Sequence, residues 1–225
     1  MTVVVLLGAP GAGKGTQADI LAERLGIPHV ATGDLFRTAV RDKSPIGLEA
    51  RRYMERGQLV PDDITIQMLL DRLTAPDAAG GVILDGFPRN RAQAEALTTA
   101  LAERGSAVDR TISIDVPTDE LVRRVSGRWV CRDAGHVYNE HTHPPRVPGL
   151  CDLDGSPLIQ RADDRPETIR ARLSQQLASL RDVTEYYDEA GLLRVVDGVQ
   201  PIEAVTEDLL SAIASEAPDG AAGAV

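Results

Sequence analysis

Aromatic side chains are nearly missing from this chain: two phenylalanines, four tyrosines and one tryptophan make up 3% of its 225 residues. A core built without them draws on Leu, Val, Ile and Ala, a composition suited to a parallel sheet covered by helices on both faces. The same scarcity, joined to a formal net charge of −10, argues against nucleic-acid partners, which want a basic face and stacking platforms, and against anionic membranes. Cysteine is confined to Cys131 and Cys151, too few for the disulfide framework of a secreted protein of this length. Lysine is confined to Lys14 and Lys43, so every other one of the 24 basic residues is an arginine, the cation that makes planar, bidentate contacts with phosphate. No apolar run approaches the roughly 18 residues of a membrane span, and no charged leader precedes the first apolar run. The expectation is a cytoplasmic protein.

A hydrophobic content of 43% is enough for one core domain carrying insertions, with no metal or disulfide needed to fold it. Apolar runs at Thr2–Leu7, Val82–Asp85, Thr111–Val116 and Leu193–Asp197, and a shorter one at Pro28–Ala31, read as buried strands. Helical patterns alternate with them. After Pro166, residues Ile169, Leu173, Leu177, Leu180 and Tyr187 recur at helical spacing as a one-sided stripe that should cover the sheet. The alternation predicts a three-layer α/β fold with a five-stranded parallel sheet and a ligand at the carboxyl ends of the strands. Two stretches interrupt it: the Arg-rich, helical segment 32–60 and the Gly-, Pro-, His- and Cys-containing segment 127–164. The core is then made of 1–31, 61–126 and 165–215, followed by a small, polar tail at 216–225 that should be disordered.

Directly after the first strand stands Gly8-Ala9-Pro10-Gly11-Ala12-Gly13-Lys14-Gly15-Thr16. Its glycines permit tight, partly positive-φ turns, so that successive N–H groups converge on a phosphate without a Cβ in the way. The helix that follows aims its positive end at the same anion, and Lys14 and Thr16 add a mobile charge and a hydroxyl. The generic phosphate-loop pattern holds up to Lys14, with Gly15 where a hydroxyl residue is expected. A dinucleotide fingerprint, Gly13-x-Gly15-x-x-Ala18, also fits the letters, but a lysine between its glycines would crowd a pyrophosphate. A second cluster, Leu84-Asp85-Gly86-Phe87-Pro88-Arg89, ends another strand. Asp85 is suited to the water shell of a magnesium ion, and Arg89 to bridging two phosphoryl groups.

With Thr32-Gly33-Asp34 ahead of Arg37, these motifs resemble the adenylate kinase family in order and spacing, from about residue 2 to about residue 210; Gly15-Thr16 after the lysine is that family's own variant of the loop. The resemblance implies reversible, Mg2+-dependent transfer of the terminal phosphoryl group of ATP to AMP, giving two ADP, by a P-loop fold of the long-lid bacterial type. It makes 32–60 the monophosphate-binding insertion and 127–164 the lid. It also implies that Lys14, Arg89, Arg124, Arg161 and Arg172 clamp the transferring group, with Asp85 beside them. ATP would meet Gly11 to Thr16, Arg128, Val137, Tyr138 and the backbone near Gln200. AMP would meet Thr32, Arg37, Gln58, Leu59, Val60, Gly86, Phe87, Pro88, Arg89, Gln93, Arg161 and Arg172. Gln93 stands where similar adenylate kinases read the AMP base, and an amide both donates to and accepts from an adenine edge. Similar enzymes of this length are mostly monomers, and a monomer is expected. A kinase of UMP, CMP or a small metabolite is the nearest rival, against which Gln93, Thr32 and the long lid count. A silent adenylate sensor is a more distant one, since all the expected basic residues are present.

Some members of the family hold the lid with zinc on Cys-x-x-Cys followed by Cys-x-x-Cys or Cys-x-x-Asp. Here Cys131, Cys151 and Asp154 fall at three of the four ligand positions and Ala134 at the other. A structural zinc wants four ligands, so the motif favours a packed, metal-free lid. The alternatives are a zinc completed by His136 and a Cys131–Cys151 disulfide, which a reducing compartment disfavours. His141 and His143 read as solvated lid residues.

Overall fold

The apolar run that opens the chain becomes a strand with neighbours on both sides, so its side chains divide between two cores. In the computed structural model, which describes residues 1–54, 60–160 and 166–215 apart from the side chains of 166–168, 170–172 and 175, β1 (Thr2–Leu7) lies at the centre of a parallel sheet. It pairs with β3 (Gly81–Asp85) on one side and β4 (Arg110–Asp115) on the other. The strand β2 (His29–Ala31) adds beyond β3, and β8 (Leu193–Asp197) beyond β4, giving the order β2-β3-β1-β4-β8. These are the five strands expected from the apolar runs. Gln58, Leu59, Arg161, the side chain of Arg172 and the tail 216–225 lie outside the described residues.

Because strand side chains alternate with a period of two, Val4 and Leu6 join one core, with Ala18 and Leu21 of α1 (Lys14–Leu25), Leu121 and Val125 of α6 (Thr118–Ser126), and Val205 and Leu209 of α8 (Ile202–Ala214). Val3, Val5 and Leu7 join the other, with Leu69 and Leu73 of α4 (Asp62–Leu73) and Leu97 and Leu101 of α5 (Arg91–Ala102). The long helix α7 (Pro166–Glu189) departs from the simple expectation. Ile169, Leu173 and Leu177 belong to the first core, whereas Leu180, Val183 and Tyr187 belong to the second. Its stripe therefore serves both layers in succession instead of covering one face, because a helix of this length outruns the layer in which it starts.

The two interrupting segments each make a small cluster of their own. In the first, α2 (Thr32–Arg41) and α3 (Pro45–Met54) close over Phe36, Ala50 and Val60. In the second, β5 (Arg128–Cys131), β6 (Val137–Asn139) and β7 (Leu158–Ile159) form an antiparallel sheet in the order β6-β5-β7, around Cys131, Tyr138, Cys151 and Leu158. That sheet is tied to the end of α6. Asn139 Nδ2 donates to the carbonyl of Arg124 at 2.8 Å, and Gln160 Nε2 to that of Ser126 at 2.7 Å.

Gly47 is where α2 and α3 touch most closely: a Cβ built there would lie 2.1 Å from the carbonyl oxygen of Ala39. Backbone cannot yield as a flexible side chain would, so Gly47→Ala is expected to cost about 2 kcal/mol or more, lowering the thermal midpoint by about 5 °C. An unchanged midpoint in scanning calorimetry would contradict this packing.

Candidate active site

The loop after β1 has the backbone its glycines were expected to allow. Gly8, Gly11 and Gly13 have φ of 146°, 88° and 95°, and a Cβ on Gly11 would sit 2.8 Å from Val125 Cγ2 and 3.0 Å from the carbonyl of Leu121. The loop is thus pressed onto α6, and only glycine fits there. Gly13 caps α1, whose first turn carries no acidic side chain and, among the described residues, no side-chain cap. The positive end of that helix is left open to the cleft. Lys14 folds back over the loop, its Nζ donating to the carbonyls of Gly8 at 2.7 Å and Ala9 at 3.1 Å.

The loops at the carboxyl ends of β1, β3 and β8 meet the two small clusters around a cleft of about 2340 Å³. A single small-ligand pocket occupies roughly 300–1,000 Å³, so two nucleotides fit. Of the residues singled out in the sequence, Gly11 to Thr16, Arg37, Asp85, Gly86, Pro88, Arg89, Arg124, Arg128, Val137, Tyr138 and Gln200 line it. Others stand behind that wall. Phe87 is buried in the second core and Val60 in the α2–α3 cluster. Thr32 and Gln93 are 2% exposed. Tyr138 borders the cleft only by an edge, since 3% of it is exposed and its hydroxyl lies inside the lid, 3.4 Å from Cys151 Sγ.

Several cleft groups are already engaged. Arg89 Nε donates to the carbonyl of Gly86 at 2.7 Å, and Thr32 Oγ1 to the same oxygen at 3.0 Å. Arg37 pairs with Asp34 one helical turn before it. Glu120 is shared by Arg123 and Arg124, each at 2.7 Å. Those hydrogen bonds, Arg123 first, pull its carboxyl down to about 2.

Sequence reasoning missed His29. At the start of β2, beside β3, its Nδ1 lies 2.7 Å from Asp19 Oδ1 and its Nε2 3.4 Å from Asp85 Oδ2. The second contact is one of charge, since Nε2 is buried without an acceptor in hydrogen-bond geometry. Burial alone would lower the imidazole pKa, but the hydrogen bond with Asp19 and the charges of Asp85 and Asp19 outweigh it and raise it to about 9. Burial would likewise raise Asp85, yet His29, Lys14 and Arg89 hold it below the usual carboxylate value. The available signal was weak: a histidine at a strand end, with no motif around it.

In the lid, ligand atoms of Cys131, His136, Cys151 and Asp154 all lie within 4.8 Å of one another. Cys131 Sγ is 3.2 Å from Asp154 Oδ2, His136 Nδ1 is 3.2 Å from Cys151 Sγ, and the same nitrogen is 3.6 Å from Asp154 Oδ2. Both cysteines are free thiols. The place left by Ala134 is filled from two residues further on.

Residues 6–192 match the adenylate kinase family. Adenylate kinases of Staphylococcus epidermidis and Staphylococcus aureus are each 44% identical to the chain over 207 residues, covering 92% of it and 96% of the relative. The chain belongs to the adenylate kinase family. Among the described residues, the chain has no helix long and apolar enough to cross a membrane.

The raised pKa of His29 carries a sign. The folded state favours the imidazolium, so that contribution is complete below the ordinary value of 6.5 and is lost as pH rises through about 9. Over that interval the ligand-free protein is expected to lose roughly 3 kcal/mol of stability. Denaturant titrations at pH 6, 7.5 and 9 measure it, and His29→Gln should flatten the slope; equal slopes in both proteins would contradict the charge bridge.

Proposed function

We infer that the cleft carries out reversible phosphoryl transfer from Mg-ATP to AMP, giving two ADP. The observation that carries this reading is the meeting, in one cleft, of the phosphate loop with Asp85, Arg89, Arg124 and Arg128, in a chain of the adenylate kinase family. The attacking oxygen of a monophosphate is already anionic at neutral pH. No general base is required; the work is alignment of two anions and neutralisation of their repulsion.

In this mechanism the N–H groups of Gly11 to Thr16 and the open end of α1 receive the ATP phosphates, with Lys14 leaving its loop carbonyls to follow them. Arg89 bridges the two phosphoryl groups, and Arg124 exchanges Glu120 for the transferring group, with Arg161 and Arg172 assigned to the same clamp. Arg128 lies along the ATP adenine with Val137, Tyr138 and the Gln200 backbone. Thr32, Arg37, Gln58, Leu59, Val60, Gly86 to Pro88 and Gln93 form the AMP side. Asp85, kept ionised and facing the cleft, fits the hard magnesium ion through its water shell, where the ion supplies charge to neutralise the phosphates. Segment 32–60 acts as the monophosphate-binding unit and 127–164 as the lid that excludes water, since an open site would hydrolyse ATP. The enzyme is read as cytoplasmic, in keeping with its unlinked cysteines, and as a monomer, as similar enzymes of this length mostly are.

The lid donors suit zinc. Bonds of roughly 2.0–2.3 Å to a tetrahedral ion set ligand atoms about 3.3–3.8 Å apart; the Cys131–Asp154, His136–Cys151 and His136–Asp154 separations of 3.2, 3.2 and 3.6 Å are close to that, within a set of four atoms that all lie within 4.8 Å of one another. His136 would supply the fourth ligand that the motif lacks, and a bound ion would fasten the lid structurally.

Two experiments test these assignments. ADP formation from Mg-ATP should be led by AMP over GMP, CMP and UMP, and Arg89→Ala should lower kcat/KM by about 10²-fold or more; turnover led by a pyrimidine monophosphate would move the reading to that class of kinase. Elemental analysis of protein purified without chelator should find stoichiometric zinc, lost in His136→Ala and Cys151→Ser. Absence of metal from a protein with intact thiols and normal activity would return the lid to the metal-free reading.

A further inference from the structure

Gln93 is buried at 2% exposure, and both ends of its amide are already bonded to groups that cannot change role. Its Nε2 donates to Asp62 Oδ1 at 2.6 Å, and its Oε1 accepts from the backbone N–H of Arg89 at 2.8 Å. A carboxylate only accepts and a backbone N–H only donates, so the oxygen and nitrogen of this amide cannot trade places. Asn90 repeats the arrangement. Its Nδ2 donates to Asp62 at 3.1 and 3.2 Å, while its Oδ1 accepts from the backbone N–H of Gln93 at 2.8 Å and caps α5. Two amides therefore fan out from one carboxylate at the start of α4, each with its oxygen fixed by a main-chain donor.

An amide side chain carries two N–H donors and two acceptor lone pairs. One of each is used in Gln93, leaving one N–H and one lone pair whose positions are set. Adenine offers an acceptor, N1, beside a donor, the 6-amino group; guanine offers the reverse, a donor at N1 beside an acceptor at O6. An amide free to rotate by 180° serves either purine, whereas a fixed one serves a single purine. We propose that Asp62 is a specificity-determining positioning residue: it locks the orientation of the Gln93 amide so that the monophosphate site accepts adenine and rejects 6-oxopurines. This rests on the reading of Gln93 as the residue that meets the AMP base.

The test uses the full chain with AMP, GMP and IMP as acceptors, comparing wild type, Asp62→Asn and Gln93→Ala. Asparagine keeps the size of Asp62 and its place in the first turn of α4, but presents either a donor or an acceptor. The Arg89 N–H persists as the other restraint, so selectivity narrows instead of inverting. A good bidentate base contact discriminates by about tenfold or more. Asp62→Asn is therefore expected to reduce the AMP-over-GMP and AMP-over-IMP ratios of kcat/KM by about tenfold, through KM for the monophosphate, with KM for ATP unchanged and a thermal midpoint near that of wild type. A merely structural role would move both nucleotides' KM together and leave the purine ratios alone. Unchanged ratios in Asp62→Asn overturn the proposal. If Gln93→Ala shifts the ratios in the same assay, the assignment of Gln93 to the base survives that failure; if Gln93→Ala leaves them unchanged as well, both fall.

Discussion

Two phosphate-bearing anions repel one another strongly wherever the dielectric is low, and a chain of net charge −10 makes that repulsion harder to overcome. The structure meets the difficulty locally. Main-chain N–H groups of the glycine loop and the open end of α1 converge on one side of the cleft, and arginines from the loop after β3, from α6 and from β5 approach from the others. Acidic groups occupy the same space and keep the cations in place: Glu120 between Arg123 and Arg124, Asp34 against Arg37. In the proposed reaction an incoming phosphate would trade places with a carboxylate, and without a ligand these pairs keep the cleft from being a bare concentration of positive charge.

Preorganisation of this kind depends on a rigid floor. β1 is buried on both faces, with Val3 through Leu6 fully excluded from solvent, and the glycine loop hangs from its end, pressed onto α6 at Gly11. Behind the loop, Gln17 Nε2 donates to the carbonyl of Ile202 at 2.9 Å and its Oε1 accepts from Thr206 Oγ1 at 2.7 Å. The stretch Gly198–Ile202 is thereby pinned to α1 where it borders the cleft.

What the sequence revealed was whatever rests on local pattern. The five strands are apolar runs between turn residues, and the phosphate loop is a spacing of glycines with a lysine, so both could be read before any contact was known. The cooperation of Gln93 with Asp62, separated by 31 positions, carries no local trace: Gln93 stood out only through the family resemblance, and Asp62 reads as an ordinary helix side chain. His29 and Asp85 meet only because β2 pairs with β3, a register that apolar patterning does not specify. His136 was a candidate ligand by proximity to Ala134, but only the hairpin of β5 and β6 shows it turned toward Cys151. The division of the α7 stripe between two cores was hidden for another reason: periodicity reports which side of a helix is apolar and says nothing of what that side meets along its length.

That division has a consequence for how the molecule comes apart. Ile169 and Leu173 are each 2% exposed in one core, Val183 is fully buried and Tyr187 is 1% exposed in the other, all on one unbroken helix. A helix shared in this way couples the packing of the two layers, tying the central sheet and both helical layers toward a single cooperative folding unit, whereas the two small outlying clusters are built around side chains of their own.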